Sequence, residues 1–213
     1  MQTESFDFPG PAGLIEAVLM GPEAAPTAGA VVCHAHPLHG GMMHFKPVFR
    51  AAKALQLQGL SALRFNFRGV GRSQGVHEGG VGEQDDVRAA LDQVERRFPG
   101  LPLVVGGFSF GSVMALRVGI ADPRVRAIFA LGVPLSMVGD LDFVGGSTKP
   151  RLFVQGGNDA FGPAERLRPM VEALPEPREI VVIPESDHFF AGHLDALQDA
   201  VSAWAARRPW ESP

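Results

Sequence analysis

One cysteine in 213 residues leaves no partner for an intramolecular disulfide. Cys33 lies inside an apolar run, which makes it a buried hydrophobe and not a nucleophile. No uninterrupted apolar stretch reaches the roughly 18 residues that a membrane-spanning helix needs. Cationic surface is also lacking: 19 Lys and Arg stand against 23 Asp and Glu, for a formal net charge of -4. That balance offers nothing to a phosphate backbone and excludes nucleic acid as the expected partner. Residues 1–10 carry Glu4 and Asp7 and lack the basic and apolar regions of a secretory signal. With the single cysteine, this predicts a cytoplasmic protein.

What is present is a globular composition, 46% hydrophobic and 20% charged. The length suits one domain, 1–213, with one well-buried core. The 26 glycines and 18 prolines fall mostly where turns are needed, and they divide the chain into short alternating segments. Phe6 to Phe8 and Leu14 to Leu19, around Pro9-Gly10-Pro11, read as an antiparallel hairpin at a sheet edge. Ala30–Cys33, Ser61–Phe67, Leu103–Gly107, Val125–Val133, Arg151–Gln155 and Glu179–Ile183 are short apolar runs of the kind buried on both faces. Between them, Pro47–Leu57, Glu83–Phe98, Ser112–Ile120, Ala164–Leu174 and Ala191–Ala206 carry apolar residues at helical spacing. Strand alternating with helix predicts a mainly parallel, twisted sheet with helices on both faces.

Three loops at strand ends carry the chemistry. Gly107-Phe108-Ser109-Phe110-Gly111 joins a strand to a helix, a G-x-S-x-G in which close backbone packing forces the serine hydroxyl outward. A hydroxyl becomes a nucleophile only when a base takes its proton and a third group orients that base. Asp159 follows the strand 151–155, and His188 follows the strand 179–183. All three therefore emerge at carboxyl ends of parallel strands, on one rim of the sheet. The order Ser, Asp, His is that of one large hydrolase fold and differs from the chymotrypsin and subtilisin orders.

Together with His36-Pro37-Leu38-His39-Gly40-Gly41 and the segment Arg64 to Ser73 (RFNFRGVGRS), these features resemble the α/β-hydrolases over essentially the whole chain. They are most similar to small bacterial esterase-like members. The resemblance implies an α/β-hydrolase fold with Ser109 as nucleophile, His188 as general acid/base and Asp159 as orienting carboxylate. It implies no cofactor and no metal. His34-Ala35-His36-Pro37 stands where such proteins carry His-Gly-x-Pro, so the oxyanion donors are expected to be the backbone N–H groups of Phe110 and His36, with Leu38 as the alternative. Pro134 to Pro150 is too short for the helical cap that many relatives insert there, which implies a lidless site. Phe108, Phe110, Phe189, Phe190, Met42 and Met43 are expected to form apolar walls, suited to short or medium acyl chains of a small-molecule ester. Thioesters, peptides and lactones use the same machinery.

Rival readings remain at several positions. Asp187 adjoins His188, but neighbours in a tight loop seldom aim their side chains at each other; Asp140 and Asp142 are further options for the acid. His193 is an alternative base at the start of the last helix. His34, His36, His39 and His44 have a spacing that suits a metal-activated water, although a metal site leaves the serine turn unexplained. The glycines of Arg68 to Gly75 lack the lysine of a phosphate loop and read as a shaped turn. A non-catalytic binding protein on the same fold is the other class.

Overall fold

The computed structural model describes residues 2–211. Eight strands form one sheet: β1 (Gln2–Gly10), β2 (Gly13–Gly21), β3 (Ala28–Cys33), β4 (Leu60–Phe65), β5 (Leu103–Phe108), β6 (Val125–Leu131), β7 (Arg151–Gly156) and β8 (Arg178–Ile183). Their spatial order is β1-β2-β4-β3-β5-β6-β7-β8. β1, β2 and β4 pair antiparallel, and from β4 onward every pair is parallel. The helices are α1 (Lys46–Leu57), α2 (Gly82–Arg97), α3 (Phe110–Ala121), a single turn α4 (Leu135–Val138), α5 (Ala164–Glu172) and α6 (Leu194–Ala206).

Side chains alternate across a strand, so a strand covered on both faces contributes to two cores. β3 shows this directly. Ala30 and Val32 join a cluster with Val48, Ala51 and Leu55 of α1 and Leu197, Val201 and Trp204 of α6. Val31 and Cys33 join the opposite cluster, with Val87, Leu91 and Val94 of α2, Val113 and Leu116 of α3, and Leu167 of α5. The uninterrupted apolar character of Ala28–Cys33 is thus a consequence of burial on two sides. α3 is apolar on every face but the one carrying Arg117, because it lies on β5 and β6 and under α2. At the far edge β8 is only half-buried and begins with Arg178 and Glu179, charges that blunt an open edge.

Element ends differ from the sequence expectation in two places that matter for the site. The helix after Ser109 begins at Phe110, two residues before the first expected helical position, and the last helix begins at Leu194 instead of Ala191. Between β6 and β7 the chain makes only α4 and a short 3-10 turn, Asp142–Val144, so no cap covers the carboxyl ends of the strands. Among the described residues, no helix is long and apolar enough to cross a membrane.

Candidate active site

Ser109 sits between β5 and α3 with φ 54 and ψ -121, a region that costs a residue with a side chain on the order of 1–3 kcal/mol. The flanking glycines explain how that conformation is held. A Cβ on Gly107 would lie 2.5 Å from the Gly111 backbone and 2.8 Å from Cys33 Cβ, and one on Gly111 would lie 2.5 Å from the Cys33 carbonyl oxygen. The strained turn is pinned further by the Ser109 N–H, which donates to Leu131 O at 2.9 Å, and by Ser112 Oγ, which donates to Ser109 O at 2.6 Å.

The three side chains singled out by order along the chain meet in one hydrogen-bonded line. The Ser109 hydroxyl lies 2.9 Å from His188 Nε2, and His188 Nδ1 lies 2.7 Å from Asp159 Oδ2. A carboxylate oxygen facing Nδ1 accepts the ring proton there, which leaves Nε2 free to accept from serine. The carboxylate is fully furnished with donors. Oδ1 accepts from the N–H groups of Phe161 and Gly162, and Oδ2 accepts from Gln155 Nε2 as well as from His188. Such satisfaction is what a buried charge requires. The loop carrying His188 is brought against β7 because Gly156 has no Cβ; one there would lie 2.5 Å from the carbonyl oxygens of Ser186 and Asp187.

The rival acids and base are engaged elsewhere. Asp187 Oδ1 accepts from Ala191 N–H and shapes its own loop, Asp140 Oδ1 accepts from Asp142 N–H, and His193 Nδ1 pairs with the Ala191 carbonyl. Asp142 opens the 3-10 turn after β6. Arg68 to Gly75 is a turn held by charge: Arg68 pairs with buried Asp86 through two nitrogens and with Glu78, while Arg72 reaches Asp7 and Glu16.

The histidine cluster divides. His34 is buried, its Nε2 accepting from Phe67 N–H at 3.0 Å and its Nδ1 on the Ala35 carbonyl at 2.6 Å; burial pulls its pKa down to about 4. His36, His39 and His77 lie ring to ring at 4.6 and 4.8 Å, and His36 also approaches Phe110. Burial, followed by the neighbouring imidazoles of His77 and His39, holds His36 below the usual histidine range. His44 is exposed on the far side of the loop. Among the described residues, no three His, Cys, Asp or Glu side chains converge so as to hold a metal ion.

Ser109 and His188 open into a cleft of about 460 Å³, walled by Phe45, Phe108, Phe110, Phe161 and Phe189 and closed at one end by His36 and His39. Three side chains expected in these walls lie elsewhere. Met43 and Phe190 are buried in the core beneath the cleft, and Met42 faces a neighbouring groove. In a loop, apolar type does not report direction. Phe45, Phe161 and Gln155 were not anticipated; Phe161, two residues after Asp159, packs its ring 4.6 Å from that of His188. The only signal for Gln155 was a polar residue directly after the apolar run Leu152–Val154.

In the loop after β3, the Leu38 N–H donates to His36 Nδ1, and the His39 and Gly41 N–H groups donate to the His36 carbonyl. Pro37 has no N–H, and the His36 N–H, like those of Ala35 and Met42, has no protein acceptor among the described residues. The N–H of Phe110, first residue of α3, has no carbonyl within the helix to bond.

A family model described as an alpha/beta hydrolase domain matches residues 28–204. An uncharacterized protein of Rickettsia prowazekii is 32% identical over 203 residues, covering 92% of this chain and 85% of that protein. Among solved structures, an alpha-beta serine hydrolase homologue from Coxiella burnetii is 36% identical with a TM-score of 0.87, over 95% of this chain and 97% of its own. A lidless α/β serine hydrolase from Xanthomonas campestris is 32% identical with a TM-score of 0.88, over 100% and 97%.

Proposed function

The chain belongs to the alpha/beta hydrolase family, and on that premise we infer that it is a serine hydrolase that cleaves small-molecule carboxylic esters through an acyl-serine intermediate. The observation that carries the reading is the continuous hydrogen-bonded line from Ser109 Oγ through the His188 ring to Asp159, opening into an aromatic cleft.

In the first half of the cycle, Ser109 Oγ attacks the ester carbonyl carbon while its proton passes to His188 Nε2. Asp159 keeps the ring in the required tautomer and stabilises the imidazolium. The carbonyl oxygen becomes an oxyanion, held by the N–H groups of Phe110 and His36. Each such donor is worth about 2.7–4 kcal/mol of transition-state stabilisation. The support for His36 over Leu38 is that the Leu38 N–H already has an acceptor. His188 then returns the proton to the departing alcohol oxygen, and water repeats the sequence on the acyl-enzyme. Because the strain at Ser109 is held by the glycine packing around it, the hydroxyl is positioned before substrate arrives.

The likeness to the Coxiella and Xanthomonas structures, both named as serine hydrolases, supports the same reading. The test is labelling with a fluorophosphonate followed by peptide mapping: modification of Ser109, and loss of ester turnover in Ser109→Ala on the order of 10⁶-fold. An unlabelled folded protein, or a Ser109→Ala variant with full activity, overturns it.

A further inference from the structure

The cleft above Ser109 is not the end of the concave surface. A second groove of about 500 Å³ begins on the other side of Phe45 and Phe189, which line both. The two rings touch edge to face at 6.2 Å and form a low partition between the concavities. Beyond it the groove runs between the Met42–Pro47 segment and the Phe189–Leu194 segment, with Met42, Pro47, Ala191 and Leu194 as apolar walls. Four large apolar side chains open to water border the two concavities: Met42 and Phe189 flank the groove, while Phe161 and Met137 rim the cleft. Contiguous exposed apolar surface of this kind marks a place where a ligand is bound.

We propose that this groove receives the alcohol side of the ester, and that the preferred substrates carry an extended apolar alcohol. The proposal rests on the ester-hydrolase reading and deepens it. Direction comes from His188, the group that returns a proton to the leaving oxygen. Phe161, Phe108 and Phe189 pack on that ring, with centroids 4.6, 5.1 and 5.3 Å away; Phe108 is buried beneath it, while Phe161 and Phe189 stand on its open side, so the leaving oxygen is delivered next to these two, and the groove starts where Phe189 ends. The carbonyl oxygen points the other way, toward the N–H groups of Phe110 and His36.

Charge narrows the alcohol further. No carboxylate lines the groove, whereas Lys46 and His44 do. The acids nearest along the chain are engaged, Asp187 with the Ala191 N–H and Asp195 with Arg50. An arm ending in an ammonium group would meet a cation and no partner. An alkyl or aryl arm meets apolar wall along its length.

The experiment compares kcat/KM for butyrate esters of increasing alcohol length, followed by titration of released butyric acid below the solubility limit of each ester. Octyl butyrate should be cleaved at least tenfold more efficiently than ethyl butyrate. Ala191→Trp, at an exposed position whose N–H bond is retained, should abolish that advantage and leave ethyl butyrate within twofold of wild type. Met42→Glu, which puts a carboxylate in the groove, should do the same. Equal efficiency across the series, or an octyl preference that survives both substitutions, overturns the proposal while ester turnover stands. Failure to cleave any ester in the series overturns the ester reading itself. If the groove instead seats a second copy of the chain, light scattering reports a dimer that Ala191→Trp dissociates, and the proposal falls.

Discussion

Gly111, at the start of α3, lies so close beneath the carbonyl oxygen of His34, the residue after β3, that no Cβ fits between them. The serine turn and the loop carrying His36 are therefore one packed unit: the chain that shapes the Ser109 turn also fixes the height of the His36 N–H, proposed above as the second oxyanion donor. Gly111→Ala should act on both. Overpacking of this kind costs about 1–3 kcal/mol, readable as a lower urea midpoint. A shift of the His34-Ala35-His36 backbone of even a few tenths of an ångström should also lower kcat more than it raises KM. A variant with normal kcat and reduced stability would separate the two loops and count against the linkage.

Gln155 makes the corresponding link on the other side. Its side chain is fully buried; its amide nitrogen donates to Asp159 Oδ2 at 2.8 Å and to Gly162 O at 2.7 Å, and its oxygen accepts from Val133 N–H at 2.8 Å. Gln155→Leu should lower kcat roughly ten- to hundredfold with KM little changed, since a hydrogen bond to a buried charge is worth about 1.5–3 kcal/mol. Gln155→Glu is the sharper probe. Ionised, it sets two carboxylates face to face; protonated, it restores the donor. Its activity should recover as pH is lowered, opposite to any loss expected from a merely damaged fold. A kcat profile parallel to that of wild type would remove Gln155 from the positioning of Asp159.

The contrast between these residues shows what a linear reading can reach. The convergence of Ser109, Asp159 and His188 was legible because each follows a strongly apolar strand, and parallel topology then brings those strand ends to one rim. The buried strands themselves were legible because burial on two faces leaves an unbroken apolar run, as in Ala28–Cys33. Gln155 and Phe161 were not, since their contacts depend on which way a side chain leaves a strand end or the loop 157–163 that follows it. Met43 and Phe190 failed for the same reason: both sit beside site residues along the chain and point into the core. In loops, positive φ at Phe190 and Glu185 turns successive side chains in directions that no periodicity records.

Cys33 should be inert in the native protein. It is fully buried on β3, and burial, followed by the nearby Asp86 carboxylate, pushes its thiol well above the ordinary cysteine range. The thiolate is the reactive form. Iodoacetamide at pH 8 should leave Cys33 unmodified for as long as the chain stays folded and alkylate it on unfolding in urea, as read by mass spectrometry. Rapid alkylation without denaturant would mean that β3 opens on the timescale of the reaction.

His34 should give the fold a measurable acid sensitivity. Its folded pKa is pulled from 6.5 down to about 4, by burial first, with its bond to the Ala35 carbonyl opposing. Because the folded value is the lower one, the unfolded chain binds more protons between these limits, so stability falls as pH falls. The contribution is complete above about pH 6.5 and is lost progressively toward pH 4, at no more than about 1.4 kcal/mol per pH unit. His34→Gln removes the titrating group while its amide oxygen can still accept from the Phe67 N–H. Urea unfolding of both proteins from pH 8 to pH 4.5 should show wild type losing its advantage over the variant only below about pH 6.5. The carboxylates common to both chains cancel in that comparison, so two stability curves that run parallel through this window would show that His34 does not titrate with unfolding.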